Sequence, residues 1–145
     1  MARPVPGLED DEPLLVKMTV TFRGAIASNL RGFAFASNRT RMKAFNAWAL
    51  HADAVGFPTR KPEMTLGVTD RRIVLWKPSF WMGQPDELIG TVPFDELAAV
   101  EVYRQALAVA LVFGFKHGEF VEVESMRARR MKRIRDLVQT HLTQH

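Results

Sequence analysis

The chain has no cysteine. This absence excludes disulfides, thiolate catalysis, thiolate zinc sites and iron–sulfur ligation, and it fits a reducing compartment. No apolar run approaches the roughly 18 residues that a membrane-spanning helix needs, and the first thirteen residues lack the apolar stretch of a secretory signal. We therefore expect a cytoplasmic protein.

Motifs of established chemistry are absent as well. The four histidines and four serines stand outside the H-E-x-x-H and G-x-S-x-G patterns, and no glycine-rich phosphate-binding loop occurs. The acidic cluster at residues 9–12 lies in a stretch that we expect to be flexible, and a flexible tail cannot enforce the octahedral geometry that Mg²⁺ demands. We expect no enzyme activity, no cofactor and no metal site.

Length and charge divide the chain into two parts. The 145 residues suffice for about one domain. Residues 1–13 hold three prolines and the acidic cluster with few apolar groups, so we expect a disordered acidic tail before a single domain over residues 14–145. The net charge is +4, and without the four carboxylates of this tail the remainder carries about +8. This excess of positive charge either favours an anionic partner or keeps the protein soluble.

Hydrophobic periodicity predicts a mainly β domain. Apolar and polar residues alternate from Val16 to Phe22, which indicates a strand, and an apolar arc predicts a helical insertion over about residues 38–56. Residues 24–37 fit either helix or strand. Six further short strands follow residue 63, and a stripe at helical spacing predicts a terminal helix over about residues 126–142. The expected fold is α+β: a strongly bent seven-stranded antiparallel sheet or barrel, capped by the C-terminal amphipathic helix.

Three segments carry a family resemblance: Gly56–Pro58, Leu66–Trp76 and Leu88–Phe94. Their V-T-D-R-R turn and G-x-V-P strand resemble those of bacterial pleckstrin-homology-like domain proteins, particularly small actinobacterial ones of uncharacterised function. The resemblance covers about residues 56–142. It implies the bent sheet with its capping helix and self-association through sheet edges.

The turn within these segments has residues suited to a tight reversal. Asp70 can bond its own backbone, Thr69 can pair across the strands, and Arg71 and Arg72 keep the turn in water. The alternative interpretation is that the two arginines bind an anion.

A long loop is predicted from Lys77 to Glu87 because it contains two prolines and a glycine. It carries three large apolar residues, Phe80, Trp81 and Met82, which either fold over the core or form an exposed anchor. In a pleckstrin-like fold this loop would share one end of the barrel with four basic residues: Arg60, Lys61, Lys77 and Lys116. Eukaryotic relatives bind inositol phosphates at that end through a first-loop basic motif, which this sequence lacks.

The terminal helix is rich in arginine. Its outer arc is predicted to carry Arg129, Lys132, Arg133 and Arg135. Cations in the first turns of a helix oppose its dipole, at a cost of a few tenths of a kcal/mol each. Either the nearby Glu119, Glu122 and Glu124 pair with them, or the arc docks on an acidic protein, a nucleic acid or a membrane surface.

Three hypotheses of function follow. The first is a non-catalytic interaction module that binds a protein partner or itself. The second is a peripheral binder of an anionic membrane surface, acting through the Trp81 loop and its basic neighbours. The third is nonspecific nucleic-acid binding by the arginine-rich helix, which would weaken steeply with salt.

Overall fold

Seven strands form one antiparallel sheet in the computed structural model, which describes residues 5–22, 38–78, 85–105 and 108–143. The strands are β1 (Val16–Phe22), β2 (Glu63–Val68), β3 (Arg72–Pro78), β4 (Pro85–Pro93), β5 (Leu97–Gln105), β6 (Ala108–Phe115) and β7 (Phe120–Ser125). The helices are α1 (Asn38–Val55) after β1 and α2 (Ala128–Thr143) at the end, with a short 3-10 turn at Phe94–Glu96. The predicted α+β fold is confirmed. The open choice at residues 24–37 lies outside the described residues.

Strand β1 joins the two halves of the sheet. The order is β4-β3-β2-β1-β7-β6-β5, so β1 lies at the centre although it comes first in the chain. It pairs with β2 over six residue pairs but with β7 at only two, Thr21 with Glu124 and Phe22 with Val123. Both helices contact β1, and α1 also contacts β7.

Helix α2 closes the core. Its apolar stripe of Met131, Ile134 and Val138 is fully buried and packs with strands from both halves of the sheet. Ser125 ends β7, and its Oγ accepts the Arg127 N–H at 3.1 Å just before the helix begins at Ala128. A helix with one apolar face laid into a bent sheet buries the surface that neither element can bury alone.

Helix α1 is attached to β7 by its side chains. Trp48 Nε1 donates to the Glu122 carbonyl at 3.0 Å, and His51 Nε2 lies 2.8 Å from the Phe120 carbonyl oxygen. The helix ends at Gly56, whose φ of 109° permits the reversal that closes a Schellman motif with Phe57. The chain then turns back toward β2.

The segment between Lys77 and Glu87 differs from the predicted loop. Strand β3 continues to Pro78, β4 begins at Pro85, and these two prolines face each other in the ladder. The register shifts beyond Leu75, and β4 is an edge strand, where proline costs no ladder hydrogen bond. The two prolines therefore lie at irregular strand ends at the edge of the sheet and do not exclude strand structure there.

The expected acidic tail is corrected for residues 5–13. Trp76 Nε1 donates to the Pro6 carbonyl at 2.7 Å, and Glu12 is only 6% exposed. A Cβ on Gly67 would lie 2.8 Å from Leu14, so the glycine lets this segment pack closely on β2. The N-terminal segment thus covers the outer face of β2 and β3. Residues 1–4 of the predicted tail lie outside the described residues.

Candidate functional site

The two arginines of the β2–β3 turn do not stand free in water. Arg72 holds Glu12 in a two-point contact, Nε to Oε2 at 2.9 Å and Nη2 to Oε1 at 2.7 Å, and the Thr69 hydroxyl donates to Oε2 at 2.7 Å. Hydrogen bonding from Arg72, together with Thr69 and the Glu9 N–H, lowers the pKa of Glu12 from 4.5 to about 2. The bond to Glu12 in turn raises the pKa of Arg72. This carboxylate is therefore charged at any physiological pH.

Arg71 has carboxylates on two sides. Its Nε lies 2.8 Å from Asp70 Oδ1 and its Nη1 lies 2.9 Å from Glu9 Oε2, and the hydrogen bond to Asp70 raises its pKa above the usual value. The turn itself is closed by Thr69, whose Oγ1 accepts the N–H groups of Arg71 and Arg72 at 3.2 Å each. The role expected of Asp70 thus belongs to Thr69. The anion that the two arginines bind is the chain's own N-terminal segment.

The basic residues predicted around the Trp81 loop do not share one environment. Arg60 and Lys77 both bind Glu87, at 3.1 and 2.7 Å. Hydrogen bonds from Lys77 and then Arg60 lower the pKa of Glu87. Lys61 is exposed, and Lys116 lines a groove of about 200 Å³ beside the 3-10 turn and the end of α2. Phe80, Trp81 and Met82 lie outside the described residues.

The outer arc of α2 is cationic, as its spacing predicts. Arg129 and Lys132 are exposed, and neither has an acidic side chain within ion-pairing distance among the residues described. Arg135 is bound by the adjacent Asp136, at 3.0 Å. The first turn of α2 has no acidic residue, so its dipole is opposed without compensation from its own sequence.

No ion pair joins the outer arc to Glu119, Glu122 or Glu124 among the described residues. Glu124 is buried at 1% exposure, Glu122 accepts the Tyr103 hydroxyl, and Glu119 lies in the β6–β7 turn. The first of the two alternatives, in which these glutamates pair with the cations of the helix, is therefore not supported among the described residues. Alternation along β7 showed which side chains share a face but not that one glutamate enters the interior.

Arginines on the inner flank of α2 reach the start of β1. Arg130 Nη1 donates to the Lys17 carbonyl and Arg133 Nη2 to the Leu15 carbonyl, each at 3.2 Å. The two arginines and Lys17 line a groove of about 350 Å³ whose other lining residues are Leu14, Leu15 and Val16. We call this the basic groove. No carboxylate contacts its three cations in the part of the chain that the structure describes.

Sequence reasoning found Arg133 but missed the other two members of the basic groove. Lys17 looked like an ordinary outward residue of β1, and Arg130 lies at the margin of the apolar stripe. The available signal was the three-residue spacing of Arg130 and Arg133, which places both on one flank of a helix. That flank could be matched to Lys17 only once the crossing of α2 over β1 was known.

Histidines do not gather into a site among the described residues. His51 and His117 bond main-chain oxygens, the latter at 2.9 Å from the Val55 carbonyl, and His141 packs on Phe94. Within residues 5–22, 38–78, 85–105 and 108–143, no group of three or more histidine, aspartate or glutamate side chains could hold a metal ion.

Comparison with known proteins adds no relative, since no family model matches the chain and no curated protein matches it significantly. Neither helix in the described residues is long and apolar enough to cross a membrane. The observed architecture, a seven-stranded antiparallel sheet with a C-terminal helix, is compatible with a pleckstrin-homology-like fold.

Proposed function

We propose that the protein is a non-catalytic interaction module of the bacterial pleckstrin-homology-like type, which binds an acidic surface of a protein partner through α2. The supporting observation is the set of six cations around the start of α2 that lack a carboxylate partner among the described residues. They are Lys17, Arg127, Arg129, Arg130, Lys132 and Arg133.

Clustered cations without local compensation create a positive potential that attracts and orients an anionic partner. In this protein the same charges oppose the dipole of α2, whose first turn contains no carboxylate. An acidic partner would relieve that repulsion on binding. The cations at the start of α2 are unfavourable in the isolated chain, and a bound acidic surface would compensate them.

The other basic end of the molecule is a weaker candidate. Arg60 and Lys77 are already bound by Glu87. A membrane or protein that approached these two cations would compete with a carboxylate whose pKa is lowered by them. This competition favours α2 over the end near Glu87 as the docking surface.

The test compares two double variants with the same change in net charge. Arg129→Gln with Lys132→Gln removes two cations of the outer arc, while Lys61→Gln with Lys116→Gln removes two exposed cations elsewhere. Binding of a fluorescein-labelled oligoglutamate is followed by anisotropy at low salt. Since an exposed pair contributes up to about 1 kcal/mol, we expect the first variant to bind about five- to tenfold more weakly and the second to change less than about twofold.

Equal losses in the two variants would mean that net charge alone drives binding and would overturn the proposal. Phosphatidylcholine vesicles with and without phosphatidylserine, and a DNA duplex, serve as competing probes. If the wild type binds either of these but not the oligoglutamate, the membrane or nucleic-acid hypothesis replaces this one.

Self-association is the form of the proposal in which the partner is a second copy. Size-exclusion chromatography with light scattering distinguishes it, because a dimer held through α2 would dissociate in the Arg129→Gln/Lys132→Gln variant. A dimer that persists in this variant would place the contact elsewhere, such as the edge strands β4 and β5.

A further inference from the structure

The basic groove has a feature that the outer arc of α2 lacks: its cations are held in place. Arg130 and Arg133 each donate one hydrogen bond to a backbone carbonyl, of residues 17 and 15 respectively, and these bonds orient both guanidinium groups toward β1. A guanidinium carries five N–H donors. Each arginine therefore keeps several donors for a ligand while its side chain is already ordered, which lowers the entropy lost on binding.

The positive charge of the groove is larger than a single carboxylate can compensate. Lys17, Arg130 and Arg133 bring three positive charges to about 350 Å³, and no acidic side chain of the described residues contacts them. A phosphoryl group carries about −1.5 to −2 charges at pH 7 and three acceptor oxygens, whereas a carboxylate carries −1 and two. Planar guanidinium donors match phosphate oxygens in two-point contacts.

The opposite wall of the groove is apolar. It consists of Leu14, Leu15 and Val16, and Leu15 is 36% exposed. An apolar wall beside a fixed cationic one suits a peptide that presents one phosphorylated residue next to an apolar residue. It does not suit a nucleic acid, whose phosphates repeat along a strand and need a continuous basic track.

We infer that the basic groove between the start of β1 and α2 binds a phosphorylated side chain of the protein partner. This inference rests on the proposed function and names the chemistry of its partner. The anion would lie between the Lys17 ammonium and the guanidinium groups of Arg130 and Arg133, with the adjoining apolar residue of the partner against Leu15.

The experiment uses the full chain and a labelled peptide that contains phosphoserine followed by leucine among acidic residues. The unphosphorylated peptide is the first control. Because hydrogen bonds to charged groups contribute about 1.5–3 kcal/mol, we expect the phosphorylated peptide to bind about tenfold or more tightly. Inorganic phosphate should compete with it, at far higher concentration.

Lys17→Gln tests the groove itself, since the Lys17 side chain makes no hydrogen bond among the described residues and its loss should leave folding intact. We expect about a fivefold loss of affinity for the phosphorylated peptide and little change for the unphosphorylated one. The matched control, Lys43→Gln on the exposed face of α1, removes the same charge and should change either affinity less than about twofold. Arg133→Lys keeps the charge but loses the planar donor pair, so it should also weaken only the phosphorylated peptide.

The outcomes separate this inference from the proposed function. Equal affinity for the two peptides, with both weakened by Arg129→Gln/Lys132→Gln, overturns the phosphate site and leaves the acidic docking surface. Failure of every acidic peptide to bind overturns both. Tighter binding of phosphatidylserine vesicles or single-stranded DNA than of the phosphorylated peptide, if lost in Lys17→Gln, would assign the groove to a different occupant.

Discussion

The β2–β3 turn and the basic groove both present paired arginines, but their surroundings differ. Arg72 is bound at two points by a buried carboxylate of the N-terminal segment, and Arg71 by exposed ones. Within the described part of the chain, Arg130 and Arg133 make their hydrogen bonds to the backbone carbonyls of residues 17 and 15. A carbonyl orients a guanidinium without neutralising it. The charges of the first pair are therefore compensated within the fold, whereas no described carboxylate compensates those of the second.

This difference depends on contacts that are distant in sequence. Glu12 lies 60 residues before Arg72, and Leu15 lies 118 residues before Arg133. The same residue type is paired with a carboxylate or with a backbone carbonyl according to which part of the N-terminal segment meets it. Carboxylates at residues 9–12 meet the turn, and the apolar and basic residues that follow them meet α2.

The largest expected effect is that of Glu12→Gln. The substitution keeps the shape but leaves Arg72 with no full counter-charge where its side chain is only 22% exposed. Loss of one partner from a buried pair costs about 3 kcal/mol or more. We expect the free energy of unfolding, measured by urea denaturation, to fall by about 3 kcal/mol.

Glu9→Gln is the matched control for this variant. Glu9 also binds a turn arginine, but its side chain is 67% exposed, so we expect a loss below about 1 kcal/mol. Equal effects of the two substitutions would mean that the segment is not anchored through Glu12 and that the two arginine pairs are more alike than the structure indicates.

The second expected effect is a pH dependence from the same carboxylate. The pKa of Glu12 is lowered from 4.5 to about 2 in the folded chain, so its stabilising contribution is complete above pH 4.5 and is lost as the pH falls toward 2. A shift of this size corresponds to about 3 kcal/mol. Other carboxylates titrate in the same range, so the quantity to measure is the difference in unfolding free energy between wild type and Glu12→Gln.

That difference should be constant from about pH 7 to pH 5 and should shrink as the pH falls below 4.5, because the protonated glutamate then resembles glutamine. No carboxylate of the described residues lines the basic groove, so the groove adds nothing to this change of unfolding free energy with pH. A difference that stays constant down to pH 2 would contradict the lowered pKa of Glu12.

The fold could be predicted because its signals are local. Alternation in β1 and the apolar stripe on α2 each depend on neighbouring residues, and the structure confirms both. The packing of residues 5–13 could not be predicted in this way. Their few apolar groups and many charges resemble disorder, and the burial of Glu12 depends on an arginine that only the folded sheet brings near.

The candidate site was predictable in part for the same reason. Helical spacing placed Arg129, Lys132 and Arg133 on an outer arc, and all three are exposed, but Arg133 lies on the flank beside β1, where it bonds the Leu15 carbonyl. Spacing could not assign Arg135 to Asp136 rather than to a partner, because adjacent side chains on a helix do not usually face each other. It also could not bring Lys17 into the site, because the other six strands lie between β1 and α2 in the sequence.

The smallest expected effect has the opposite sign. Arg129 is the second residue of α2, where the helix dipole favours an anion, so Arg129→Glu should raise the unfolding free energy by about 0.5–1 kcal/mol at low salt. Lys61→Glu makes the same change of charge outside the helices and should lie within about 0.5 kcal/mol of wild type. The gain should diminish in 1 M salt, where exposed charges are screened.

Arg129→Glu should at the same time weaken oligoglutamate binding, so that stability rises as affinity falls. A loss of stability in this variant would mean that Arg129, like Arg72, is held by a contact within the fold, and the contrast between the two arginine pairs would no longer extend to the outer arc.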